Sequence, residues 1–396
     1  MKAFGVLYLF EWKKILGQRL VPAAILLGVL LLLAANISPL LGTGYYYRYD
    51  AQRGTVDRTA MPYGEVEDLR RDSLRALAGQ VLDEALMDQL KENYRDSQAG
   101  TIQWNLNAYS PFLYLNTVED RSGASAEGFY RQQAEHFQKE SISTPLTDGE
   151  LAYWQEQAAG LGPMYLDYTG GWQAMVEHCG LLCQVVVLLV TVALCRFCSE
   201  EHRARTDQLV LSSEKGKTTA FWARCAAGVS FAAGIALAFS ALQMALCCAL
   251  YGMDGFAAPL QLWVEGSFSA LHVSMGQFSL ILLGLLVFAC GMAAMFVMLL
   301  SELFGTAIPA LVIPFALSAA SILELFMGNG RWMEQTASYL PFLRVSTYTL
   351  QDYYLVTLGS FQLNSIQFSV VLYLLLAGLF GLLYRICHRR YQVTGR

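Results

Sequence analysis

The stretch Leu20–Leu41, LVPAAILLGVLLLLAANISPLL, holds no charged residue over 22 positions. At ~1.5 Å of rise per residue, such a helix reaches about 33 Å, enough for a hydrocarbon core of ~30 Å. A cleaved secretory signal would have a shorter apolar core and a small-residue cleavage site; Asn36-Ile37-Ser38-Pro39 makes a poor one, so the segment reads as a retained anchor over 20–42. Further charge-free windows follow at Cys179–Cys195, Cys225–Met253, Gly266–Ser301, Leu303–Leu323 and from Tyr353 up to Arg385. The expectation is an all-α membrane protein with six transmembrane helices.

Composition agrees: 55% of the 396 residues are hydrophobic, 15% are charged and the mean hydropathy is +0.37, unlike an ordinary soluble domain. The net charge of −5 decides nothing, but the placement of the basic residues does. Lys2, Lys13, Lys14 and Arg19, then Arg196, Arg203, Arg205, Lys215 and Lys217, then Arg385, Arg389, Arg390 and Arg396 fall on one side if the spans alternate. Because Lys and Arg in short loops stay cytoplasmic, both termini are expected inside, with residues 43–171 outside as an extracellular domain. Localisation in the plasma (cytoplasmic) membrane as a multi-pass protein follows. All nine cysteines lie in or beside the apolar windows, so the external block must fold without disulfides.

Residues 1–19 set Phe4, Tyr8, Trp12 and Ile15 on one helical face, the pattern of a helix lying flat in the interface; the alternative is a simple extension of the first span. In the external block, Val66, Leu69, Ser73, Leu77, Val81 or Leu82, Leu86 and Leu90 recur at helical steps and predict one long helix over Glu65–Arg95. A second helix is expected at Ala126–Glu140, and the capping-box pattern Thr147-Asp148-Gly149-Glu150 predicts a third, ending near Gly160. The section 101–118 carries no assignable pattern. Aromatics at Tyr45-Tyr46-Tyr47 and at Tyr165, Tyr168 and Trp172 read as interfacial belts. Residues 172–390 should supply the other five spans, with 391–396 as a cytoplasmic tail. Small residues of the third span, from Ala223 to Ala238, offer a close-packing surface. The apolar string between Met327 and Gln367 is expected to dip back into the outer leaflet.

Several chemical signals fail on inspection. Ser213-Glu214-Lys215-Gly216-Lys217-Thr218 ends like a phosphate-binding loop, but Leu211 stands where that motif begins with glycine. Cys195, Cys198 and His202 lack a fourth zinc ligand. The pairs Glu135-His136, Glu177-His178 and Glu201-His202 never form His-Glu-x-x-His, no Gly-x-Ser-x-Gly elbow occurs, and no basic stripe invites nucleic acid. Glu302 and Glu324 flank the fifth span, where a carboxylate at membrane depth is a functional candidate unless it is exposed at the interface. Within that span Pro309 and Pro314 remove backbone donors and should bend or open the helix.

The loop 199–219 is short and charged, with an apolar patch at Leu209, Val210 and Leu211. Glu200-Glu201, Thr206, Leu209-Val210-Leu211-Ser212 and Gly216-Lys217 resemble the cytoplasmic loop of type-2 ATP-binding-cassette permeases, and Phe10-Glu11-Trp12-Lys13-Lys14-Ile15 resembles their connecting helix. The resemblance covers the membrane parts, with an enlarged extracellular domain as in one subgroup. It implies a permease subunit that exports a peptide, lipid-like molecule or drug and catalyses no covalent reaction itself. ATP and Mg would sit on separate cytosolic ATPase subunits docking at Glu200, Glu201, Arg203, Thr206, Leu209, Val210 and Lys217, and a second permease copy or homologue would complete the path. The contrasting expectation is a sensor or immunity subunit whose external domain binds a ligand. An intramembrane enzyme is disfavoured by the lack of paired catalytic groups in the spans.

Overall fold

The computed structural model describes residues 2–118, 120–139, 146–197, 216–323, 325, 330–359 and 361–390. Among the described residues, five helices are long and apolar enough to cross a membrane, which marks the chain as a membrane protein: α2 (Leu20–Leu41), α9 (Gly170–Leu194), α10 (Phe221–Tyr251, with the turn before it), α11 (Met275–Phe304) and α15 (Ser365–Arg390). The expected fifth span is α12 (Ala307–Ile322), whose 16 residues cover only about 24 Å. It is apolar but shorter than the other five.

Helix α9 is the centre of the bundle, since 72% of its most apolar window is buried against 22% for α2 and 11% for α15. Peripheral α2 buries only the narrow stripe Val21, Gly28, Leu32 and Asn36. Gly28 is needed there, because a Cβ would lie 2.9 Å from the Phe239 ring and 3.0 Å from Val185. One turn-pair further on, the Asn36 and Gln243 side chains exchange hydrogen bonds of 2.9 and 3.0 Å, joining α2 to α10. Among apolar neighbours this pairing satisfies groups that would otherwise be stranded.

The N-terminal helix α1 (Lys2–Leu16) forms as the amphipathic pattern predicts. Tyr8 and Trp12 both hydrogen-bond Ser230 Oγ at 2.8 and 3.0 Å, and Ile15 is fully buried. The small-residue surface of α10 is therefore used in part by α1 and in part by α11, where Met298 covers Gly228.

The polar block, expected to be mostly helical, also contains a strand pair. Thr43–Asp50 (β1) and Thr55–Pro62 (β2) pair as an antiparallel hairpin, so Tyr45-Tyr46-Tyr47 is strand and not merely a belt. Gly54 turns it at φ +64°, a conformation that favours glycine. Asn105 receives the Tyr47 N–H and donates to its carbonyl at 3.0 and 2.8 Å, while Thr101 receives the Tyr49 N–H at 2.9 Å. The section 101–118, which carries no assignable pattern in the sequence, holds the second half of α5 (Ser97–Asn105), which anchors the hairpin, and α6 (Ser110–Thr117).

The expected long helix is two, α3 (Tyr63–Arg75) and α4 (Glu84–Asn93). Between them Gly79 takes φ +79° and the backbone pairs with residues 164–166, through Leu82 N to Met164 O at 2.7 Å and Leu166 N to Gln80 O at 2.9 Å. Leu74, Leu82, Leu86 and Leu90 are buried, whereas Leu69 and Val81 are exposed. Helices α7 (Ala126–Lys139) and α8 (Asp148–Ala159) stand where expected. The core of this block also takes in Ala258 and Leu262, which follow α10 in sequence. The connection from α10 to α11 thereby completes the core of the polar block.

Candidate functional site

Helices α9, α11, α12 and α15, together with the connection from α12 to α15, line a half-open apolar cavity of about 550 Å3. That connection is built from α13 (Arg331–Ala337), α14 (Pro341–Arg344) and the hairpin of β3 (Leu355–Leu358) with β4 (Phe361–Asn364). Cys183 and Gln184 of α9, Met292 and Phe296 of α11, Pro314 and Ser318 of α12, Trp332 and Tyr339 of the connection, and Phe368 and Leu372 of α15 form its walls. Pro314 is the candidate that the structure brings to the cavity. Pro309 sits in the first turn of α12, where helical N–H groups have no partner anyway, so only Pro314 interrupts the helix interior.

The connecting segment is held by a buried cation, Arg344, which was not among the candidate residues read from the sequence. Arg344 is fully buried and donates through Nε to Ser338 O at 3.1 Å, through Nη1 to Ser365 Oγ at 2.8 Å and through Nη2 to Ser338 Oγ at 2.8 Å and to Asp352. Its guanidinium also lies 5.1 Å from the centre of the Tyr339 ring. Buried charge is tolerable only with such pairing, and here the pairing fixes the chain around the cavity.

The polar block reaches the same segment through Glu150. Its Oε2 receives the Thr147 N–H at 2.9 Å, closing the capping box. Its Oε1 receives Arg331 Nη2 at 2.5 Å and the Leu355 N–H at 3.0 Å. Burial alone would raise the Glu150 carboxyl, but the Arg331 guanidinium, the Thr147 and Leu355 amides and the Thr147 hydroxyl together hold it below the usual carboxylate range. Neighbouring Trp154 donates to Tyr353 O at 2.7 Å, and Glu334 accepts from Tyr354 at 3.0 Å. Arg331 precedes the wall residue Trp332, and Leu355 precedes the wall residue Val356. One carboxylate of the polar block thus grips two sides of the cavity wall.

Glu302 is not exposed at an interface. It is buried at 8% exposure, and its Oε1 lies 2.9 Å from Nδ1 of buried His388, tying the end of α11 to the end of α15. This pairing fixes helix ends and lies apart from the cavity lining. Glu324 and the expected docking residues Glu200, Glu201, Arg203, Thr206, Leu209 and Val210 lie outside the described residues. Lys217 falls in the described turn Gly216–Ala220 that leads into α10. A second cavity of about 530 Å3 opens in the polar block beside Tyr130, Arg131 and Phe268. Its amides are engaged internally, Gln133 Nε2 with Ser267 O at 2.8 Å and Gln261 Nε2 with Ser269 O at 2.7 Å.

Comparison with protein-family models, with curated proteins and with solved structures finds no match for this chain. The functional reading therefore rests on the residues themselves.

Proposed function

We propose that the chain is the transmembrane permease subunit of an ATP-binding-cassette exporter. In this reading it lies in the cytoplasmic membrane with both termini inside and the polar block outside. It pairs with a second permease copy or homologue and is driven by cytosolic ATPase subunits that bind ATP and Mg. The observation that carries the reading is the apolar cavity among the apolar helices, gripped through Glu150 by the polar block. A cavity with that connection could pass changes at one end of the bundle to the other. The amphipathic α1 packed on α10 supports the same reading, since it resembles the connecting helix of such permeases.

The test is purification of the tagged full chain from its native membrane in mild detergent, with a stoichiometric ATPase expected. Replacing Leu209 with Asp would bury an unpaired carboxylate in the docked state at a cost of several kcal/mol, so the ATPase should be lost while membrane insertion stays intact. An ATPase retained by Leu209→Asp with normal turnover would overturn the docking assignment. If the unaltered chain carries no ATPase, the ligand-sensing subunit becomes the better reading, which the grip of the polar block on the cavity wall would serve equally well.

A further inference from the structure

We propose that the end of the bundle where α10 begins and α15 ends binds an anionic membrane phospholipid, its phosphate held by Arg385 and Arg389 beside the Trp222 ring and its acyl chain lying along the apolar stripe of α15. The inference uses only the membrane character of the chain, so it stands whether the chain is an exporter subunit or a sensor.

The first argument is the order of surfaces along one helix. Helix α15 is the least covered of the five long apolar helices. Leu375, Gly378, Leu382, Arg385 and Arg389 follow one another at three- and four-residue steps, which places them on one side of it. Leu375 is 65% exposed and Leu382 55%, so this side is hydrocarbon until its last turns and cationic only there. A phospholipid standing against it would meet the leucines with its chain and the arginines with its phosphate.

The second argument is a missing counter-charge. Phe221 of α10 packs on Tyr384 and His388 of α15 with ring centres 4.9 and 5.5 Å apart, which brings the next residue, Trp222, against Arg385. The Arg385 guanidinium lies 5.5 Å from the centre of the Trp222 ring, and Trp222 is exposed. Other covered arginines of the spans and their connections have a carboxylate: Arg224 has Glu11, Arg331 has Glu150 and Arg344 has Asp352. Among the described residues, Arg385 and Arg389 form no ion pair. A guanidinium at the edge of the hydrocarbon requires an anion. A phosphate meets its planar fork with two parallel hydrogen bonds, and an exposed indole marks the level at which headgroups begin. A choline lipid offers the same phosphate but sets its own cation beside it, so the pair of arginines selects lipids of net negative charge.

The test is native mass spectrometry of the full chain released from detergent micelles, with phosphatidylglycerol or phosphatidylcholine of identical chains added. Phosphatidylglycerol should stay bound at collision energies that strip phosphatidylcholine, and it should raise the unfolding midpoint in detergent. Arg385→Gln and Arg389→Gln should each weaken phosphatidylglycerol by about fivefold, the worth of one basic residue beside an anionic lipid surface. Arg385→Lys, which keeps the charge but loses the fork and the ring contact, should recover only part of this. Without anionic lipid, both glutamine variants should unfold close to the parent, because neither arginine has an internal carboxylate to lose; this keeps a lost lipid distinct from a lost fold. Arg53→Gln, on the turn of the β1–β2 hairpin and paired there with Asp50, should leave lipid retention unchanged. Inorganic phosphate at the lipid's concentration should not displace the lipid. Equal retention of the two lipids, displacement by inorganic phosphate, phosphatidylglycerol binding unchanged when both arginines are glutamine, or an arginine variant that splits an oligomer into single chains would overturn the inference.

Discussion

Glu150→Ala isolates the connection between the polar block and the cavity wall. The substitution removes the acceptor for Thr147 N–H, half of a capping box worth about 1 kcal/mol. It also strands the buried Leu355 amide, at about 1–3 kcal/mol. The ion pair itself adds about 0–1 kcal/mol, because the Arg331 side chain is 29% exposed and stays against the Tyr354 ring at 4.8 Å. The loss should be local, roughly 2–5 kcal/mol in the opening of the first turn of α8 and of β3, which is about one and a half to three and a half orders of magnitude in amide exchange. Hydrogen exchange read by mass spectrometry on the full chain in detergent resolves this, and Glu150→Gln, which keeps the length but not the charge, should fall in between. Acid should act in the same direction. The folded carboxyl is depressed, so its contribution is complete above the unfolded value of about 4.3 and is lost as pH falls through the lower folded value. Unchanged protection at Leu355 in Glu150→Ala would refute the reasoning, since no other side chain is invoked to hold that amide.

Two further substitutions probe the packing that shapes the site. Arg344→Met leaves Asp352 buried without its cation and should destabilise the protein by about 3–5 kcal/mol, seen as a lower unfolding midpoint in detergent; Arg344→Met with Asp352→Leu should recover part of it. A single variant as stable as the parent would show the pair to be incidental. Gly28→Leu forces a side chain against Phe239 and should cost about 1–3 kcal/mol, while Gly284→Leu, where a Cβ meets nothing within 4 Å, should be nearly neutral. Equal effects at the two glycines would remove the close-packing account of α2.

What the sequence made legible was local. The charge-free run between Arg19 and Gly42 matches α2 residue for residue, because length and hydropathy need no partner to be read. Thr147 and Glu150 formed the capping box for the same reason: donor and acceptor are three residues apart. Where a distant segment competes, local pattern fails. Leucine spacing ran unbroken through 76–83, yet backbone bonds to residues 164–166 and the positive φ of Gly79 end the helix there. The three tyrosines after α2 have high strand propensity, but the pairing that makes them strand depends on β2 and on Asn105, far along the chain.

The candidate site lay at the far end of this scale. Its lining begins at Cys183 and ends at Phe380, contributed by four helices and a connection, and no window of sequence contains enough of it to announce a cavity. Pro314 was visible because proline is unusual inside an apolar helix. Tyr339 was not, since one tyrosine in an aromatic string carries no mark of lining a cavity. Arg344 left a fainter trace: a lone cation in an apolar segment needs a counter-charge, and Asp352 is eight residues away. Glu150 left none, because its capping role accounted for it completely. Its second role exists only once Arg331 and Leu355, nearly two hundred residues on, are folded against it. A residue whose local duty explains its presence conceals any long-range duty, and here the concealed one connects the polar block to the site.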